Sequence, residues 1–248
     1  MTESKHFQFS NAVVIIPMVL VLLIWTVYLI EIRSGLNFNN YGILPRTLKG
    51  LRGIIFSPFI HGSAKHLFNN TVPLAVLSAA LLYFYKKNAF TVIVFGVMVS
   101  GILTWLIGRE SYHIGASGLI YVLASFIFFK GIFSSYYRLI ALSLIVVFIY
   151  GSLLWYIFPV EEGISWEGHL AGFLTGLFLA RVIKATIPKP KKYEWEKEDF
   201  KEEDDLFLKH FDEEGNFREL PTIEEMSEDD NFKVNYIYRS TDQNNEKL

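Results

Sequence analysis

The chain has 248 residues, of which 52% are hydrophobic and 19% are charged, whereas about a quarter of the residues in soluble domains are charged. It contains no Cys, which excludes a disulfide framework, a thiolate nucleophile and a Cys-ligated zinc or iron–sulfur site. The net charge of −2 is unevenly divided, because residues 1–187 hold 13 Lys and Arg against 6 Asp and Glu (+7), and residues 188–248 hold 10 against 19 (−9). This division predicts a membrane domain over residues 1–187 and an acidic, partly disordered cytoplasmic tail over residues 188–248.

Six apolar stretches along the chain have about the length needed to cross a membrane, which takes roughly 20 residues of helix. They are residues 11–30, 66–85, 89–108, 115–130, 138–158 and 168–187. Backbone donors and acceptors must be paired within lipid, so each stretch is predicted to be a helix. The first stretch is too long for the apolar region of a signal peptide and lacks a small-residue cleavage site, so we interpret it as a retained helix. The predicted fold is an all-α, polytopic bundle of six transmembrane helices.

Two segments outside these stretches carry expectations of their own. Residues 31–65 form a long and semi-apolar first loop, which predicts short helices lying against the membrane face. In the tail, the apolar residues between positions 195 and 211 have the composition of a short amphipathic helix. A solvated acidic tail without chemistry is the favoured interpretation, and no partner is predicted for it.

The distribution of basic residues predicts the orientation in the membrane. With the N-terminus inside, the inner connections and the start of the tail hold ten basic residues. The outer connections hold six, five of them in the first loop. Because Lys and Arg concentrate on the cytoplasmic side, we expect both termini inside. The Lys-, Asn- and Phe-rich composition without a transit peptide suggests the inner membrane of a prokaryotic cell.

Polar residues at the start of the second stretch form the first candidate cluster. Polar side chains are costly within a membrane span and therefore indicate function. His66 and Asn70 are four residues apart, so a helix places them on one face, from which both can donate hydrogen bonds to one point. His61 precedes them in the loop. The alternative interpretation is a set of interfacial polar residues that cap a helix start.

The fourth stretch begins with a serine among small residues. Ser117 is flanked by Gly115 and Gly118, and Tyr121 lies one turn further along the same helix face. Small residues allow another helix to approach closely. The string alone is weak evidence for catalysis, because a serine in a span often bonds only to its own helix backbone.

A glycine stripe and a histidine mark the sixth stretch. Gly168, Gly172 and Gly176 repeat every four residues and form a smooth surface for a tight helix contact. His169 lies at the edge of this stripe, so its side chain is expected to face a protein neighbour rather than lipid. The alternative is a histidine that only bonds to a neighbouring helix.

Together the three clusters supply the parts of an acyl-transfer site. A serine hydroxyl needs a base to accept its proton, and histidine is the usual base. The tetrahedral intermediate needs hydrogen-bond donors that are already aimed at its oxyanion. Ser117, His169 and the His66/Asn70 pair lie on span ends assigned to the outer side, where water can reach them. No Asp or Glu occurs in the second, fourth or sixth stretch, which predicts a Ser–His dyad rather than a triad.

These motifs resemble those of the rhomboid family, intramembrane serine proteases with a six-helix core. The matching strings are His61-x4-His66-Leu67-x-x-Asn70, Gly115-x-Ser117-Gly118 followed by Tyr121, and His169-x-Ala171-Gly172-x-x-x-Gly176. They occur in the family's order on the second, fourth and sixth spans. The resemblance covers about residues 10–187 and omits the tail.

The resemblance implies a catalytic role for four of the matching residues. Ser117 would be the nucleophile and His169 the general base. His66, Asn70 and the backbone N–H of Ser117 would form the oxyanion hole. The implied substrates are transmembrane segments of other membrane proteins within the lipid bilayer, and no cofactor, metal ion or nucleic acid is implied.

The resemblance also implies supporting roles. Tyr121 would pack against the His169 ring, and Gly172 and Gly176 would let the sixth helix close on the fourth. His61 would tie the first loop to the second helix.

Two positions depart from the family pattern. The string Leu51-Arg52-Gly53 stands where many members have a Trp-Arg pair in the first loop, and Trp166 stands where an Asn often precedes the catalytic histidine.

Three other functions are open at this point. A rhomboid-like pseudoprotease would bind transmembrane clients without cleaving them. A transporter or channel would use His66, Asn70, His113 and His169 to line a polar path, but the sequence has no intramembrane carboxylate to couple ions. A zinc protease is disfavoured because no His-Glu-x-x-His string occurs.

Overall fold

The computed structural model describes residues 7, 9–184, 193–205, 207–212, 214–217 and 219. Its α-helices are α1 Ala12–Ser34, α2 Leu48–Leu51, α3 Gly53–Phe56, α4 Ala64–Phe84, α5 Ala89–Ile107, α6 Ser117–Ser134, α7 Tyr137–Tyr150 and α8 Trp166–Val182. Short 3₁₀ helices lie at Asn39–Tyr41, Ser57–Phe59, Gly151–Ile157, Glu194–Glu196, Glu202–Asp204 and Leu208–His210. The contacts divide the chain into two units, Met1–Pro190 and Lys191–Leu248.

The six predicted spans correspond to the six long helices, so the predominantly helical membrane fold is confirmed. Five of the helices are long and apolar enough to cross a membrane: α1, α4, α5, α6, and α7 together with its 3₁₀ continuation to Ile157. α8 has 17 described residues. It begins two residues before the predicted sixth span, because Ser165 caps its first turn by accepting a hydrogen bond from Gly168 N–H.

The fifth span is not one uniform helix. α7 ends at Tyr150, and the chain continues as a 3₁₀ helix over Gly151–Ile157. Mean hydropathy predicts that a segment lies in lipid, but it does not distinguish one helical hydrogen-bonding pattern from the other.

α6 is the central helix of the membrane unit. Half of its apolar window is buried within the protein, against 17% for α1 and for α7 with its continuation. Its buried side chains, including Val122, Leu123, Phe126 and Ile127, belong to one core with Leu74 and other residues of α4. α6 therefore packs against protein on much more of its surface than α1 and α7 do.

The first loop contains the predicted short helices. They are α2, α3 and the 3₁₀ helices at Asn39–Tyr41 and Ser57–Phe59. At the altered family position, the Arg52 guanidinium lies 4.2 Å from the centre of the Tyr41 ring and donates a hydrogen bond to the Asn40 carbonyl. Arg52 thus anchors this loop internally without the tryptophan that many family members have.

The first loop also pairs with the chain that leads into α6. Ile43 and His113 exchange two backbone hydrogen bonds of 3.0 and 2.9 Å. Gly115 N–H donates to the Ser57 carbonyl at 2.9 Å. The start of α6 is therefore held by the first loop as well as by neighbouring helices.

In the tail unit, the described residues contain no α-helix, so the amphipathic helix expected between positions 195 and 211 is not formed there; Leu206 lies outside the described residues. Asp205 Oδ1 accepts hydrogen bonds from Phe207 N–H and Leu208 N–H. Asp212 Oδ1 accepts from Glu214 N–H. Such local bonds from aspartate to the backbone compete with helix formation and favour turns.

Candidate active site

Ser117 is the first residue of α6 and follows a constrained turn. Gly115 has a φ of +108°, a conformation that side chains other than glycine rarely adopt. Ala116 N–H donates to His61 Nε2 at 3.4 Å. These constraints fix the backbone just before Ser117, which lies at a helix N-terminus where free N–H groups are available.

His66 and Asn70 converge on the backbone just before Ser117. A Cβ atom at Gly115 would lie 2.6 Å from His66 Nε2 and 3.6 Å from Asn70 Nδ2. Asn70 is buried, and its Nδ2 has no hydrogen-bond partner among the described residues. A buried donor without a partner is costly, so this amide is available to a ligand that reaches the site.

His169 lies in the first turn of α8 and is buried against α6. Its ring is stacked on the Tyr121 ring, with a centroid distance of 4.3 Å and an interplanar angle of 12°. His169 Nδ1 lies 2.9 Å from the Tyr156 carbonyl oxygen. Because a carbonyl can only accept, Nδ1 carries the proton and the Nε2 lone pair is free to take another.

The 3₁₀ helix Gly151–Ile157 holds both stacked rings. Its Tyr156 carbonyl accepts the bond from His169, and its Leu153 carbonyl accepts a bond of 2.6 Å from the Tyr121 hydroxyl. Sequence reasoning missed this segment because both acceptors are backbone carbonyls, which any residue type would supply.

Close backbone contact between α6 and α8 brings the serine and histidine ends together. A Cβ atom at Gly172 would lie 2.3 Å from the Gly118 carbonyl oxygen, and one at Gly176 would lie 2.5 Å from the Val122 carbonyl oxygen. A Cβ atom at Gly118 would lie 3.7 Å from the Gly168 carbonyl oxygen. The residues adjoining Ser117 and His169 are therefore neighbours across the helix contact.

The Ser117 hydroxyl forms no hydrogen bond to another described residue. Catalytic hydrogen bonds are often long before substrate binds and tighten afterwards. The half-buried side chain lines a cavity of about 40 Å³ with the polar side chains of Ser100, Thr104, His113 and Ser165 and with several apolar ones. A cavity of this size with several polar side chains can hold a water molecule, which a hydrolytic site requires.

His61 packs behind the candidate oxyanion donors. Its ring centre lies 5.0 Å from that of His66, and its Nδ1 lies 3.4 Å from the Phe59 carbonyl oxygen. Burial and the neighbouring His66 lower the pKa of His61 to about 4. The neutral ring donates through Nδ1 and accepts from Ala116 N–H through Nε2, so it joins the first loop to the start of α6.

Sequence reasoning did not predict a group of polar contacts beside the site, although His113 was considered there for a transport path. Glu167 is 2% exposed, and its Oε1 accepts a hydrogen bond of 3.2 Å from Arg109 N–H. His113 Nδ1 pairs with Ser165 Oγ, and its Nε2 lies 3.1 Å from the Arg109 carbonyl oxygen. An acidic residue just before an apolar stretch is a recognised helix-start signal, but its partner lies 58 positions away in sequence.

Two of the alternative functions receive little support from these positions. Burial lowers the pKa of His113, and its two ring nitrogens face Ser165 Oγ and the Arg109 carbonyl oxygen. Within the described residues, no group of three or more His, Asp or Glu side chains is placed to hold a metal ion.

Comparisons with known proteins identify what this chain is similar to. The Rhomboid domain family matches residues 49–186. The uncharacterized protein Rv1337 of Mycobacterium tuberculosis is 36% identical over 185 residues, which cover 69% of this chain and 75% of that protein. The uncharacterized protein ML1171 of Mycobacterium leprae is 32% identical over 178 residues, covering 68% and 70%. The matched family region contains all three polar clusters.

Proposed function

The chain belongs to the rhomboid family, and on that premise we propose that it is an intramembrane serine endopeptidase that cleaves transmembrane segments of other membrane proteins. The observation that carries the proposal is the arrangement of His169. Its ring is stacked on Tyr121 and its Nδ1–H is bound by the Tyr156 carbonyl, which leaves Nε2 as a base at the end of the bundle that holds Ser117.

In the proposed first step, His169 Nε2 takes the proton of the Ser117 hydroxyl while the oxygen attacks the scissile carbonyl carbon. The tetrahedral oxyanion accepts hydrogen bonds from His66, Asn70 and the Ser117 N–H. The C–N bond then breaks, and the imidazolium returns the proton to the leaving amine. Asn70 suits this role because its buried donor has no other partner among the described residues.

In the second step, water replaces the amine. His169 takes a proton from the water as the remaining hydroxide attacks the acyl-enzyme carbonyl, and the bond to the Ser117 oxygen breaks with return of the proton. The cavity lined in part by Ser117, Ser100 and Thr104 is a place from which this water can come. No metal ion or cofactor is part of this sequence of steps.

Covalent labelling tests the proposal directly. The purified protein in detergent is treated with a fluorophosphonate probe, and we expect labelling of the wild type that is lost in Ser117→Ala and in His169→Ala. Both variants should also lose cleavage of a model transmembrane substrate. Ser134→Ala is the matched control, because it removes a hydroxyl from the opposite end of α6.

The same experiment separates a protease from a pseudoprotease. A folded wild-type protein that neither labels nor cleaves, yet still binds transmembrane clients, would favour the non-catalytic alternative. Cleavage retained by a well-folded Ser117→Ala or His169→Ala variant would refute the assignment of the dyad.

The protein is an integral membrane protein, and we infer that it lies in a prokaryotic inner membrane with both termini in the cytoplasm. The excess of basic residues on the inner connections supports this orientation. It places Ser117, His169 and the oxyanion donors toward the outer face. Residues 1–187 would then be the catalytic membrane domain, and residues 188–248 the cytoplasmic tail.

A further inference from the structure

A set of polar contacts joins the loop before α6 directly to the first turn of α8. Glu167 Oε1 accepts from Arg109 N–H at 3.2 Å and lies 3.6 Å from Arg109 Nε. The same guanidinium donates through Nη2 to the Ile164 carbonyl. A second link is formed by His113 and Ser165. The two connected segments are the ones that carry Ser117 and His169.

A contribution to protein stability does not by itself explain a buried carboxyl group at Glu167. It is 2% exposed, whereas its partner Arg109 has a side chain that is 45% exposed. Its Oε2 has no hydrogen-bond partner among the described residues. Burying a carboxylate is costly unless it is fully paired, and an uncharged side chain of similar size is often at least as stable in such a place.

The location of Glu167 suggests what its carboxyl oxygen provides. It lies in the first turn of α8, two residues before His169, where the helix dipole favours a negative charge. Through Oε1 it binds the backbone of Arg109, eight residues before Ser117. One carboxylate oxygen thus spans the gap between the segment that carries the base and the segment that carries the nucleophile.

We propose that Glu167 is a positioning residue for catalysis, which holds the first turn of α8 against the loop containing Arg109 and so fixes His169 relative to Ser117. The inference rests on the proposed protease function. The glycine contact of Gly172 with Gly118 sets the distance between the helices further from this end, and Glu167 controls it at the end where protons are transferred. A displacement of about 1 Å there can reduce the rate about 10²-fold.

Kinetics with two substitutions at position 167 test this role. Glu167→Ala removes the contact to Arg109, and we expect kcat for a model transmembrane substrate to fall at least about 10-fold with KM changed less than about twofold. Glu167→Gln keeps an oxygen that accepts from Arg109 N–H, so most of the lost kcat should be restored. Glu162→Ala is the matched control, since Glu162 is an exposed carboxylate in the preceding loop.

Hydrogen exchange supplies a readout that does not depend on activity. The N–H groups of Gly168 and His169 are bonded to Ser165 at the start of α8. If Glu167 holds this turn, Glu167→Ala should make exchange in a peptide covering residues 165–170 about 10-fold faster, while exchange in α4 and the overall unfolding temperature change little.

The outcomes separate the two proposals. Unchanged exchange and unchanged kcat in Glu167→Ala would overturn the positioning role, as would a loss of kcat that is matched by lower thermal stability and not restored in Glu167→Gln. A wild type that neither labels with the fluorophosphonate probe nor cleaves substrate would refute the protease function. The exchange measurement would still decide whether Glu167 holds the first turn of α8.

Discussion

At the scale of single residues, the neutral His61 ring joins the first loop to the start of α6. Its Nε2 accepts from Ala116 N–H, and its Nδ1 faces the Phe59 carbonyl. An added proton on Nε2 would face the Ala116 N–H, donor against donor. Burial and the proximity of His66 already lower the pKa of His61 to about 4, so the tether is intact at neutral pH and weakens in acid.

This shift predicts a specific loss of stability in acid. The unfolded chain binds a proton at His61 below about pH 6.5, whereas the folded chain resists it until about pH 4. The unfolding free energy should therefore be highest above pH 6.5 and fall as the pH drops toward 4, by about 2 kcal/mol between pH 7.5 and pH 5. Thermal unfolding in detergent at these two pH values measures the change.

The matched variant is His61→Gln, whose amide oxygen can accept from Ala116 N–H but does not titrate. We expect it to be less stable than the wild type at pH 7.5, because an amide fills the ring's site poorly. The stability difference between the two proteins should shrink at pH 5. If acidification lowers the unfolding free energy of both proteins equally, the proton taken up on unfolding binds to groups other than His61.

The sequence predicts candidate site residues where a polar side chain lies in an apolar span, because such a side chain is costly in lipid. Ser117, His169, His66 and Asn70 are predicted in this way, and the structure brings the starts of the helices that carry them together. The Tyr156 carbonyl was not found, because every residue carries a carbonyl. Glu167 was visible as a charge, but its pairing depends on how two distant segments meet, which periodicity does not encode.

At the scale of elements, α8 is held at both ends by groups outside it. Glu167 in the first turn contacts Arg109, and Lys130 of α6 donates through Nζ to the carbonyls of Ala180 and Ile183 at the other end. A negative charge near a helix N-terminus and a positive charge near the C-terminus are both favourable. At the C-terminal end, Lys130 thereby satisfies carbonyl groups that lack a partner within the helix.

Between its ends, the packing of α8 against α6 requires glycine at the contact positions. A Cβ atom at Gly172 would lie 2.3 Å from the Gly118 carbonyl oxygen and 2.8 Å from Tyr121 Cβ. Neither neighbour is the mobile end of a flexible side chain, so α8 would have to move away from α6. We expect Gly172→Ala to destabilise the protein by about 1–3 kcal/mol and to reduce cleavage, because His169 moves with the helix.

Gly151→Ala is the control for this prediction. A Cβ atom there would meet only Val147 Cγ1, at an ordinary contact distance of 3.6 Å. Thermal unfolding in detergent and substrate cleavage are measured for both variants beside the wild type. Equal unfolding temperatures for Gly172→Ala and the wild type would mean that the helix contact yields without cost and does not set the geometry of the site.

The spans themselves followed from hydropathy, but their internal structure did not. The predicted fifth span is α-helical only to Tyr150 and then forms a 3₁₀ helix. This change of helix type is what places the Leu153 and Tyr156 carbonyls against Tyr121 and His169. A change in backbone hydrogen bonding leaves the apolar composition unaltered, and average hydropathy therefore cannot reveal it.

At the scale of the whole molecule, the candidate site occupies one end of the helix bundle. α4, α6 and α8 all begin there, and the first loop packs against the chain that enters α6. The connection between α4 and α5, which contains Lys87, lies at the other end. Because positive charge concentrates on the cytoplasmic side, we expect the site to face outward and the Lys87 connection to face inward.

Single-cysteine labelling tests this orientation cleanly, because the chain contains no Cys. Lys87→Cys places a thiol on the exposed connection between α4 and α5, and Glu162→Cys places one on the exposed connection before α8. In intact bacterial cells, a membrane-impermeant maleimide should label position 162 at once and position 87 only after permeabilisation. The Cys-free wild type should stay unlabelled in both conditions. The opposite pattern would place Ser117 and His169 at the cytoplasmic face. The five basic residues of the first loop would then lie on the cytoplasmic side.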